Sequence, residues 1–160
     1  ICAALLTATP AGAQGNGSAA LRLSTTLLGV QDKSASQYYN DGVIAFNAGK
    51  VDEAITAFTN AIKKRANYAD AYYGRGIAYN RKKEYAKALA DLNETIKVKA
   101  KFADAYIERA TANAGLNNFP AALADYTAAD QNGDAAMKTE IGRYRGGLYF
   151  QMKDYDKAIA

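Results

Sequence analysis

With 160 residues, 49% of them apolar and 22% charged, the chain has material for about one packed domain and lacks the signature of wholesale disorder. The formal charge of +4 is too small an excess to imply nucleic acid by itself. There is no His, and Cys2 is the only Cys; this excludes a His general base, a Ser-His-Asp arrangement, a Cys/His zinc site and an internal disulfide. In chain order, residues 1–13 come first. Ile1 to Ala8 is an uncharged apolar run, Thr9-Pro10 breaks it, and Ala11 and Ala13 stand at minus three and minus one of a signal-peptidase site. The run is too short to span a bilayer. It reads as a truncated signal peptide whose initiator Met and basic part are missing, with an Ala-rich disordered tail as the alternative, and the expected localisation is export, to the periplasm. Cys2 would leave with the signal. Residues 14–35 begin with a flexible Gln14-Gly-Asn-Gly-Ser18 linker, and Ala19 to Val30 lack the spacing of any definite element.

From Tyr38 onward the chain repeats itself. Val51-Asp-Glu-Ala-Ile55, Tyr85-Ala-Lys-Ala-Leu89, Phe119-Pro-Ala-Ala-Leu123 and Tyr155-Asp-Lys-Ala-Ile159 align, placing alanines at 54, 88, 122 and 158, separated by 34, 34 and 36. Upstream of each, a small residue (Gly42, Gly76, Ala110, Gly146) recurs in the same phase. Each unit therefore predicts two helices, with the small residue of the first letting the second approach closely. The second helices carry the helical stripe: Ala54, Ile55, Phe58, Ala61 and Ile62, then Ala88, Leu89, Leu92, Thr95 and Ile96. Pro120 belongs in a first helical turn, behind Asn117-Asn118 as its cap.

The positions Tyr38, Gly42, Val51, Ala54, Phe58, Ala61; Tyr72, Gly76, Tyr79, Tyr85, Ala88, Leu92; and Tyr106, Ala110, Phe119, Ala122, Tyr126, Ala129 resemble the tetratricopeptide repeat (TPR) family, of an exported bacterial type. The resemblance implies an all-α fold, a right-handed α-solenoid of stacked antiparallel helix pairs, with units at 36–69, 70–103, 104–137 and an incomplete fourth at 138–160. The family's proline between units is replaced here by Ala66 and Ala100. Such arrays need about three units and a capping helix, so the chain is expected to be a fragment or to carry a partly unsupported last helix.

Other constellations have plainer readings. Arg75, Arg109 and Arg145 recur in phase, as do Asp91 and Asp125; a ladder is expected in which the acid of one unit meets the Arg of the next, Asp91 with Arg109 and Asp125 with Arg145. Asp130-Gln-Asn-Gly-Asp134 resembles the start of a calcium loop, but Ala135 stands where Gly is needed and Ile141 where the bidentate Glu is needed. It reads as the turn between units, lengthened by two residues, and no metal or cofactor is expected. Lys63-Lys64-Arg65, Arg81-Lys82-Lys83 and Lys97-Val-Lys-Ala-Lys101 fall at helix ends, where cations complement the helix dipole; a nucleic-acid or polyanion surface is the rival reading. The pairs Asp52-Glu53 and Asp154-Asp156 fall at helix starts, without the surroundings of an acid–base site.

The TPR resemblance implies that the first helix of each unit lines a concave groove. Its groove positions map onto Tyr39, Val43, Phe46 and Asn47; Asp70, Tyr73, Ile77, Asn80 and Arg81; Asp104, Ile107 and Thr111; and Arg143 and Phe150, with Ala114, Glu140, Gly147 and Gln151 beside them. The Lys and Asn clamp with which some members hold a chaperone's C-terminal carboxylate is not reproduced, since Tyr39, Val43, Tyr73 and Ile107 stand there. The resulting expectation is a non-catalytic scaffold for a protein or extended peptide. The alternatives are polyanion binding, service as the interaction module of a longer enzyme, and self-association through the open C-terminal end.

Overall fold

The computed structural model describes residues 32–158. The signal-like segment 1–13, Cys2, nearly all of the 14–35 segment and Ile159 lie outside the described residues. Within the unit Ser34–Ala160, the described residues form helices without strands: α1 (Ala35–Asn47), α2 (Val51–Lys64), α3 (Ala69–Arg81), α4 (Tyr85–Val98), α5 (Ala103–Gly115), α6 (Phe119–Asn132), α7 (Ala135–Gln151) and α8 (Tyr155–Ala158). Consecutive helices pack as antiparallel pairs, and each pair packs on the next through its neighbouring helices. The first helices of successive pairs also touch, α1 with α3 and α3 with α5, while the second helices stay splayed. Closer spacing on one side of a stack curves it towards that side, so the first helices form the inner face.

The predicted stripes are the core. Ala54, Phe58 and Ala61 of α2 are buried, as are Ala88, Leu92 and Thr95 of α4 and Ala122, Tyr126 and Ala129 of α6. Burying a side chain such as Phe58 or Leu92 contributes about 2 kcal/mol or more. Small residues on the facing helices make room for them. A Cβ on Gly42 would stand 2.6 Å from the Phe58 ring, and one on Gly76 would stand 2.9 Å from Leu92 Cγ. The flanking Ile55, Ile62, Leu89 and Ile96 are half-buried.

Helix α1 opens with a capping box, in which Ser34 Oγ accepts from Gln37 N at 3.2 Å and Gln37 Oε1 accepts from Ser34 N at 2.8 Å. Within each pair the turn holds one residue in the left-handed region: Gly49, Lys83, Asn117 and Lys153, with φ between 59 and 76°. These four recur with the spacing of the alanines, a periodicity hidden in the sequence because Gly, Lys and Asn all serve at that position. Asn117 therefore makes the turn and Asn118 precedes α6, but no side-chain capping bond forms there, contrary to the expected Asn cap; Pro120 does occupy the first turn.

The two-residue insertion is not where the sequence reading puts it. The turn before α7 is Gly133-Asp134, shorter than the four residues between α2 and α3, and α7 runs for 17 residues where α3 and α5 have 13. Asp134 explains this: its carboxylate accepts from Met137 N at 2.9 Å, so the helix starts a turn earlier. Asp130 lies inside α6 and Asp134 caps α7; among the described residues no group of carboxylates is arranged to hold a metal ion.

The ladder is also different from the one expected. Arg75 Nε and Nη2 donate to Asp91 Oδ2 and Oδ1 at 2.7 and 2.8 Å, and Arg109 Nη2 donates to Asp125 Oδ1 at 2.6 Å. Both pairs lie within one repeat, across the hairpin. Asp125, held by Arg109 and by Asn113 Nδ2 at 2.9 Å, is not paired with Arg145, and Asp91 is not paired with Arg109. The link between repeats runs backwards and is made to neutral groups: Arg75 Nη1 donates to Thr59 Oγ1 at 2.9 Å, and Arg109 Nη1 to Asn93 Oδ1 at 2.8 Å. Each guanidinium thus ties its own second helix to the second helix of the preceding pair. The fork has donors for both.

Candidate functional site: the inner face of the first helices

The inner face is assembled from α1, α3, α5 and α7. Tyr39, Val43 and Phe46 of α1 and Tyr73 and Ile77 of α3 meet around an apolar cavity of about 130 Å³. Its floor is the Phe58 ring, and Gly74 keeps it open beside that ring. Spacing explains the gathering: positions 39, 43 and 46 share one side of a helix, and 73 and 77 are their counterparts one repeat later.

The two tyrosines are held by rings. Tyr39 lies 5.8 Å from Phe58 and 5.3 Å from Tyr68, and Tyr73 lies 4.6 Å from Phe102. Tyr68 and Phe102 open successive first helices in phase, so the same aromatic brace recurs. Burial is the main reason that both phenols are pushed above the usual tyrosine range, strongly for Tyr73. Asp104 and Glu108 push Tyr73 further in the same direction. At the other end of the cavity the Arg81 guanidinium lies 5.1 Å from the Phe46 ring centre.

Asn80 crosses from α3 to α5. Its amide nitrogen donates to Glu108 O at 2.9 Å and to Glu108 Oε2 at 2.8 Å, and its own Oδ1 is buried without a hydrogen-bond partner. Burial raises the Glu108 pKa above the ordinary carboxylate value; the Asn80 bond opposes this, and Asp104 adds to it. Asp70 is bonded to Lys99.

Of the other expected groove residues, Thr111 and Arg143 meet in a second cavity of about 350 Å³, with Tyr85, Tyr126 and Tyr144. Ile107 turns partly into the core cluster of the third pair. Asn47 is exposed at the end of α1, and Phe150, 65% exposed, meets Tyr155 edge-on; neither lines the two cavities just described. Sequence reasoning missed Glu108, Phe58 and Gly74 as groove components. Glu108 follows Asp104 by one helical turn, and that spacing was the available signal. Phe58 was legible only as core.

The stacked helix pairs define the class of the fold, an α-solenoid of helical repeats. A tetratricopeptide repeat family model matches residues 39–103. The array is a TPR-type α-solenoid: a crystal structure of MamA superposes with a TM-score of 0.62 at 29% identity, covering 71% of this chain and 62% of that one, less than two thirds of its length. MamA from Desulfovibrio magneticus RS-1 gives 0.75 at 21% identity, covering 88% and 78%. The first TPR of Spaghetti (RPAP3), solved bound to the HSP90 peptide SRMEEVD, gives 0.63 at 25% identity, covering 69% and 90%. No curated protein matches the chain. Among the described residues no helix is long and apolar enough to cross a membrane.

Proposed function

We propose that this chain is a member of the TPR family that acts as a non-catalytic scaffold, holding an extended peptide or a segment of a partner protein against the inner face of its first helices. The observation that carries this is the apolar cavity between α1 and α3, whose tyrosines are fixed by neighbouring rings before any ligand arrives. A rigid aromatic surface loses little entropy on binding. The peptide complex of the RPAP3 repeat supports the same use of the fold. Polyanion binding is less favoured, because Lys82, Lys87, Lys97 and Lys99 are engaged by carboxylates of the chain itself. The setting we propose is extracytoplasmic, supported by the apolar run and Ala11-x-Ala13 pattern of residues 1–13; retention of a fusion reporter in the cytoplasm would count against it.

The test is a pair of variants, Tyr73→Ala and Phe46→Ala. Each should weaken binding of a peptide selected on the wild-type chain by about tenfold or more while the far-ultraviolet circular dichroism stays that of the wild type. If both variants bind normally, the groove assignment fails.

A further inference from the structure

The inner face carries a charge imbalance that its own residues leave unresolved. Asp104 and Glu108 stand one helical turn apart on α5, Glu108 is held by the amide of Asn80, one turn beyond the cavity-lining Ile77, and among the described residues no ion pair involves either carboxylate. Two cations of the inner face are engaged elsewhere: Lys99 holds Asp70, and Arg81 lies over the Phe46 ring. Like charges at this spacing destabilise a helix, and Glu108 is in addition largely withdrawn from water. Asn80 nevertheless fixes the Glu108 carboxylate with its amide and leaves its own carbonyl oxygen unbonded. The free protein thus bears the cost of orienting an uncompensated carboxylate on a helix that packs against the cavity-lining α3.

We infer that the groove takes a basic peptide: an extended segment that places an apolar side chain in the cavity of Tyr39, Phe46 and Tyr73 and a Lys or Arg against Asp104 and Glu108. This rests on the groove reading above and adds the sign of the ligand's charge. It is the reverse of the acidic SRMEEVD peptide held by the RPAP3 repeat. A cation between the two carboxylates removes their mutual repulsion and supplies donors to oxygens already desolvated, so the attraction is realised only in the complex. The cavity of about 130 Å³ has room for one aliphatic side chain, which fixes the register of the neighbouring charge.

The experiment is selection from a random twelve-residue peptide library displayed on phage, run in parallel on the full chain, on the double variant Asp104→Asn with Glu108→Gln, and on Tyr73→Ala. Both substitutions of the double variant remove charge while keeping shape. The amide introduced by Glu108→Gln retains an oxygen for the Asn80 amide, so this variant should fold at least as well as wild type. The inference predicts wild-type sequences rich in Lys or Arg next to an apolar residue, and loss of that enrichment on the double variant. A synthetic winner should bind the double variant about tenfold more weakly at low salt, the difference shrinking as salt is raised. Peptides that need Tyr73 but are acidic or uncharged, or basic peptides held equally by the double variant, overturn the inference and leave the groove standing. Peptides retained equally by Tyr73→Ala, or an empty selection on the wild type, overturn the groove reading and this inference with it.

Discussion

Removing Asp91 should be among the most damaging single polar substitutions in the array. Its side chain is 7% exposed and that of Arg75 is 17% exposed, and Asp91 accepts two of the three hydrogen bonds that the guanidinium makes to side chains. In Asp91→Leu only the bond to Thr59 survives, and a largely buried cation is left without its counter-ion, at a cost of about 3–5 kcal/mol. Replacing both partners, Arg75→Met with Asp91→Leu, removes the stranded charge and should recover most of that loss. Urea unfolding followed by circular dichroism gives the four corners of a double-mutant cycle, with a coupling energy of roughly 2–3 kcal/mol expected. The same cycle on Asp91 and Arg109, the pair that repeat phase alone suggested, should give less than about 0.5 kcal/mol. Lys99–Asp70, with side chains 45% and 42% exposed, should fall below about 1 kcal/mol. A larger coupling for Asp91–Arg109 than for Arg75–Asp91, or one below about 1 kcal/mol for the buried pair, refutes this account of how the repeats are tied.

Three further outcomes follow from local geometry. Lys83→Gly and Lys153→Gly should each stabilise the array by about 1 kcal/mol in thermal or urea unfolding, because both lysines occupy the left-handed region where a Cβ is penalised. Gly42→Ala should destabilise by about 1–3 kcal/mol through the Phe58 ring, with part of the loss restored by Phe58→Leu; Gly142→Ala, which meets nothing within 4 Å, should gain about 0.5–1 kcal/mol from helix propensity. Glu108→Gln should stabilise at neutral pH. The folded Glu108 pKa lies above its ordinary 4.5, mainly through burial, so its contribution is most favourable below about pH 4.5 and is lost as pH rises through the raised value. The gap between variant and wild type must therefore widen from about pH 4 to about pH 7, and a gap that narrows would contradict the assigned burial.

Periodicity alone laid out the helices, their pairing and the buried stripe, because a repeat multiplies each weak local signal: Ala54, Ala88 and Ala122 are fully buried in the phase that their spacing announces. The family resemblance also supplied Tyr39, Val43, Phe46, Tyr73 and Ile77 of the first cavity's lining, but not Phe58 or Gly74. Which neighbour each charge meets emerges only when the helices pack. A period says that Arg75 and Asp91 recur, but the hairpin partner and the next repeat's Arg lie at similar separations, 16 and 18 residues, and the choice depends on how far a guanidinium reaches across the hairpin. The same holds for the insertion before α7, where the Asp134 cap lengthened a helix instead of a turn. It holds again for Glu108, whose character comes from the desolvation and the Asn80 contact that stacking imposes. Periodicity fixes what recurs along the chain; contact across it depends on distance and solvent, which no spacing encodes.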